Sequence, residues 1–168
     1  MNTLSKRTLL FILATITLIF LNACGSKTSE PTVNIAVEIS GVTNQQFQHI
    51  GTSGIENPTK DDFRNFKFIL DEKHHDSIKD MKIHAPNFIQ VFNDSRDNLY
   101  WFGKSSVQDN ANVNFANYSY DITLYTRGLN ENSLREILNS EEVIVSWTTE
   151  DGRQKEKRYK IGDLVKFK

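Results

Sequence analysis

The side chains best suited to chemistry in this 168-residue chain lie in one short run, Glu72-Lys73-His74-His75-Asp76. Two imidazoles flanked by two carboxylates are donor types that zinc and related cations take as ligands. The spacing works against them. On a helix, side chains that face one ion stand three or four residues apart, and His75 has Lys79 rather than a second ligand at that distance. His49 and His84 could join a ligand set only if the fold carried them to the same place. The expectation for His74 and His75 is therefore a solvated polar face. The competing reading is a metal-dependent cell-envelope enzyme built on them and the nearby acids.

Other catalytic patterns are missing. No serine lies in a G-x-S-x-G turn, and Gly51 and Gly54 lack the spacing of a phosphate or dinucleotide loop. Asp61-Asp62 and Glu141-Glu142 are paired acids whose surroundings point to capping and loop solvation. No catalytic, cofactor-binding or metal-ligating residue is assigned, and the expected role is binding, not catalysis. The aromatics offer the means. Tyr100-Trp101-Phe102 puts rings on both faces of one strand, with Tyr118, Tyr120 and Tyr125 following. Exposed Tyr and Trp suit protein interfaces and stacking on sugars, which makes an envelope protein or a glycan the expected partner. Burial in a core is nevertheless the commoner fate of such rings.

The one cysteine, Cys24, has no disulfide partner. Before it come Lys6 and Arg7, then fourteen uncharged residues from Thr8 to Leu21. A basic flank, a short apolar stretch and a small residue at the end make a secretory leader. The stretch falls short of the ~20 apolar residues that span a bilayer. Leu21-Asn22-Ala23-Cys24 resembles the lipobox of bacterial lipoproteins, with Leu21, Ala23 and Cys24 matching and Asn22 departing from the usual small or β-branched residue. The resemblance implies cleavage between Ala23 and Cys24 and a diacylglyceryl thioether, with further acylation such as palmitate, on Cys24. It thereby implies a lipid anchor at the extracytoplasmic face of a bacterial cell membrane. It covers only the leader. Two acyl chains hold a protein where one binds marginally, at about 0.8 kcal/mol per buried CH₂.

The division expected is a leader over 1–23, a lipidated cysteine and tether over 24–32, and one β-rich extracytoplasmic domain over 33–168. Loss of the leader removes two of 20 basic residues and no acid, leaving 18 against 21 and a net charge of −3. Nucleic-acid binders show a basic excess, so that class is excluded. Eleven Phe, five Tyr and two Trp exceed what a disordered tail would carry.

Alternation carries most of the structural signal. Val33, Ile35, Val37 and Ile39 mark a half-buried strand, and Phe66, Phe68 and Leu70 a second. Asp71 reads as the N-cap of a short helix through Met81, with Ile78 and Met81 inward. Phe88–Phe92 and Leu99–Gly103 read as a hairpin about the polar turn 93–98, with loops over 43–60 and 104–117. Tyr118 to Thr126 reads as a strand and Asn130 to Ser140 as a helix. Val143, Val145 and Trp147 turn at Asp151-Gly152 into a return strand charged on both faces, the mark of a protected edge, which Ile161–Phe167 extends. Those charges include five basic residues between Arg153 and Lys160 that could meet anionic lipid, but interspersed acids favour edge protection. The fold expected is mainly β, an antiparallel β-sandwich of immunoglobulin-like type with one or two short helices. An α+β arrangement, both helices on one sheet, is the alternative.

Overall fold

The computed structural model describes residues 30–95, 99–110 and 114–168. Leu21–Cys24 and the tether up to residue 29 lie outside the described residues, as does part of the turn read over 93–98.

Among the described residues eight strands form two sheets: β1 (Thr32–Gly41), β2 (Phe63–Lys73), β3 (Lys79–His84), β4 (Tyr100–Asn110), β5 (Phe115–Tyr125), β6 (Glu142–Thr148), β7 (Gln154–Lys160) and β8 (Val165–Phe167). Four α-helices of the described residues lie between or beside them: α1 (Asn44–Phe47), α2 (Phe88–Asp94), α3 (Glu131–Asn139) and α4 (Ile161–Leu164). One sheet has the order β4-β5-β2-β1-β8, the other β3-β6-β7. Apart from β8, these are the two sheets and the strand order of a constant-type immunoglobulin sandwich. The departures are β8, parallel to β1, and the helices α2 and α3 in the connections. The α+β alternative is not what forms, since the apolar core is enclosed between two sheets.

The core follows from alternation. Val37 and Ile39 of β1, Phe66, Phe68 and Leu70 of β2, and Ile122 and Leu124 of β5 face Val143, Val145 and Trp147 of β6. The closing hairpin forms as read, with Gly152 at φ 80 where a side chain would be strained. β7 is one of the two outer strands of its sheet, and its charged residues are exposed.

Four expectations are corrected. Asp71 caps no helix: β2 continues through Lys73 because it pairs with β1 on one side and β5 on the other, and 79–84 is a strand. Phe88–Phe92 is helical, capped by Asn87, whose side chain accepts from the Gln90 amide at 3.3 Å. Of the segment read as a loop over 104–117, residues 104–110 and 115–117 are strand, part of the β4–β5 ladder that runs from Phe102 opposite Thr123 to Asn110 opposite Phe115. Residues 161–167 do not extend β7; they turn through α4 and cross to pair with β1 of the other sheet.

The long segment after β1 has a packing role. Phe63 lies on the outer side of the five-stranded sheet, two residues from Asn65 and opposite Tyr125. The segment folds back over it, so that Phe47, Ile50 and Ile55 enclose Phe63 with Trp101 and Tyr125. The Trp101 indole donates to the Gly51 carbonyl at 2.9 Å. Arg127 donates to the carbonyls of Glu56 and Asn57 at 2.9 Å each and to Asp62 at 2.8 Å. That guanidinium, with the Thr59 amide, holds the Asp62 carboxyl well below the usual carboxylate range. Arg127→Ala should lower the melting temperature and open residues 44–58 to limited proteolysis. An unchanged cleavage pattern would mean that the aromatic cluster alone retains the segment. Among the described residues no helix is long and apolar enough to cross a membrane.

Candidate functional site

The reactive residues singled out from sequence are scattered by the fold. His74 and His75 follow β2, at the end of the sandwich where the described chain begins, since Thr32 pairs with Lys73. His84 ends β3 and His49 follows α1, both at the opposite end. Among the described residues no group of three or more His, Cys, Asp or Glu side chains is placed to hold a metal ion. His75 is exposed, and its Nδ1 accepts from the Ser77 amide at 3.4 Å. The Asp76 carboxylate accepts from the Asn114 side chain. The paired acids have structural partners: Asp62 accepts from the Thr59 amide at 2.7 Å, and Glu142 opens β6 and pairs with the Arg158 side chain at 3.1 Å.

What the fold does assemble is a polar cluster at the same end. The alternation that buries Phe66, Phe68 and Leu70 continues to Glu72, which is 1 % exposed. Its Oε1 lies 2.8 Å from His74 Nδ1, and its Oε2 has no hydrogen-bond partner. Beside it, the Tyr118 hydroxyl donates to Asp109 at 2.7 Å. Burial pushes the Glu72 carboxyl up from its ordinary range, against the pull of His74, and the nearby Asp109 pushes the same way. Burial and the Asp109 bond raise the Tyr118 phenol as well. Trp147, on the facing sheet, is also buried with its indole nitrogen unbonded. The cluster can hold a proton, and a buried carboxyl with a free oxygen is costly unless it does.

This has a measurable sign. An acid that ionises less readily in the fold than in the unfolded chain carries an extra proton when folded, so stability falls as pH rises. The loss begins near the unfolded carboxyl's 4.5 and continues through the higher folded value. Glu72→Gln, which cannot ionise but can still accept from His74, should flatten that part of the profile. Parallel profiles for the two proteins would show that burial leaves the carboxyl unaffected.

A more open feature lies at the opposite end. A cleft of about 980 Å³ runs between α2 and α3, with Val91, Leu129 and Ile137 as its apolar lining and Asp94, Glu136 and Glu141 as acids. The aromatics nominated for binding are mostly spent on packing. Tyr118 and Tyr120 are buried, Tyr100 packs against the main core, and Trp101 and Tyr125 belong to the cluster around Phe63. Phe102 alone of that set is largely open, at 46 % exposure. Sequence reasoning named Glu72 only as an acid beside the histidines and missed its burial, because the run of alternate buried positions was cut at Asp71. Carrying the period of two one step further finds it.

Comparison with protein-family models, with curated proteins and with solved structures finds no match to this chain.

Proposed function

We propose that this protein is a bacterial lipoprotein, held by a lipid on Cys24 at the extracytoplasmic face of the cell membrane and presenting a β-sandwich with a non-enzymatic binding role. The observation that carries the reading is the order of basic flank, uncharged stretch and Leu21-Asn22-Ala23-Cys24 in the sequence. The start of the sandwich is compatible with it. β1 begins at Thr32, so the eight residues from Gly25 span at most about 25–29 Å and keep the β1 end close to the bilayer. The cleft between α2 and α3 then faces away from the membrane, where an envelope protein or a glycan would reach it. Dispersal of His49, His74, His75 and His84 to two ends favours binding over the metal-enzyme reading.

Intact-mass analysis of the protein extracted from membranes tests the anchor. A mature chain starting at Cys24 with the mass of a diacylglyceryl group supports it. A free Cys24 thiol, or a leader still attached, removes it.

A further inference from the structure

The four outer strands of the two sheets differ in one respect that decides what can pair with them. A bare strand edge recruits another strand unless short length, charge or a bulge prevents it. β8 has three residues. β7 places Lys155 and Lys157 on the side of Trp147 and Val145, with Glu156 and Arg158 on the other. β3 breaks its register between Lys79 and Lys82, with Asp80 at φ 51. β4 has none of these devices over its middle. Among the described residues its eleven residues pair with β5 alone, and from Phe102 to Asn110 the register runs without interruption. Ser105 to Gln108 carries no charge. Val107 is 56 % exposed although it stands opposite the buried Tyr118 on the core side.

We propose that the free edge of β4 is a homodimer interface, at which two copies pair antiparallel about a two-fold axis at Ser106 and join their five-stranded sheets into one. A strand meeting its own copy this way opposes each residue to one of the same face. Ser106 meets Ser106 of the second copy, Ser105 meets Val107, and Lys104 meets Gln108. The charges permit it. The edge carries Lys104 and Asp109, of opposite sign and on opposite faces, and neither meets its own kind. Lys104 is opposed by an amide that can accept from it, and Asp109 by Gly103, which has no side chain to crowd it. Small serines at the centre let the backbones approach. The pairing covers Val107 of both copies over about 24 Å of strand.

Seven paired residues make a small contact, below the ~1,200 Å² of stable complexes. Its occupancy rests on the lipid-anchored reading, because confinement to a membrane raises the local concentration of copies.

Disulfide trapping in native membranes tests it with the full chain. Opposed residues of an antiparallel pair have Cα atoms ~4.5–5.5 Å apart, within disulfide reach. Under copper–phenanthroline oxidation Ser106→Cys should give a covalent homodimer. Glu156→Cys, on the charged edge, should not. Adding Val107→Lys, at an exposed position and with a melting temperature expected to be unchanged, should reduce the Ser106→Cys dimer to the Glu156→Cys level. The lipid reading is scored separately. A dimer of the wild-type protein would show that Cys24 is a free thiol and end that reading, while the edge is judged from the same variants in a Cys24→Ser background. No Ser106→Cys homodimer in either background, a dimer unaffected by Val107→Lys, or Ser106→Cys adducts only with a different protein would each overturn the edge pairing.

Discussion

Replacing Phe88 with alanine will destabilise the protein by about 3–5 kcal/mol, the range for deleting a fully enclosed phenyl ring. Phe88 has no exposed surface. Its ring centroid lies 4.9 Å from that of Phe66, 4.8 Å from that of Phe68 and 5.2 Å from that of Tyr120. It is where α2 is fastened to the five-stranded sheet, with Phe92 alongside at 4.9 Å from Phe66. The cavity left by alanine would be walled by two paired strands, which cannot collapse into it without breaking their ladder. Urea denaturation with an unchanged m-value would report the loss directly. A change below about 1 kcal/mol would mean that α2 repacks, and that this helix is not part of the cooperative core.

Cys24→Ser will move the protein from the membrane fraction to the soluble fraction. On the proposed reading two acyl chains bury some tens of methylenes at about 0.8 kcal/mol each, so such an anchor is close to all-or-none. The three large apolar side chains exposed on the described surface, Ile69, Phe102 and Val107, are dispersed, not gathered into a membrane-seeking patch. Fractionation with a salt wash distinguishes lipid anchoring from charge adsorption, because only the latter is screened. Retention of the serine variant in washed membranes would count against the anchor. The fold itself should be indifferent, and equal melting temperatures for the two proteins would show that a lipid at Cys24 adds nothing to the stability of the sandwich.

The strands legible in the sequence are those with one wet face and one dry face. β1, β5 and β6 alternate because a period of two is what a half-buried strand requires, and the Asp151-Gly152 turn fixes the pairing of β6 with β7 locally. α3 was legible for the same kind of reason: Leu134, Ile137 and Leu138 recur at helical spacing. Where the reading failed, the deciding contact was distant in sequence. β4 is polar and exposed along most of its length, so nothing in Lys104–Asp109 signals a strand; it is one because β5 offers it a ladder of backbone partners. Phe88–Phe92 is equally apolar as strand or helix, and the hairpin reading passed over Asn87, which caps the helix that forms.

The candidate sites divide the same way. Chain chemistry alone nominated Cys24 and the histidines, because side-chain type and order are local properties. Which histidine matters was a tertiary decision: β2 runs on to bury Glu72, and that burial gives His74 a partner while His75 stays in water. The unprotected edge of β4 could not be read at all before the sheet order was known, since an edge is defined by the strand that is not there. Sequence by itself determined the β-rich class and the inward rows of the strands that alternate, and it alone carries the proposed address around Cys24, all within a few residues. Only the tertiary structure decided the sheet order, the buried carboxyl and the open edge, because each depends on segments far apart in the chain that meet when the two sheets close on their shared core.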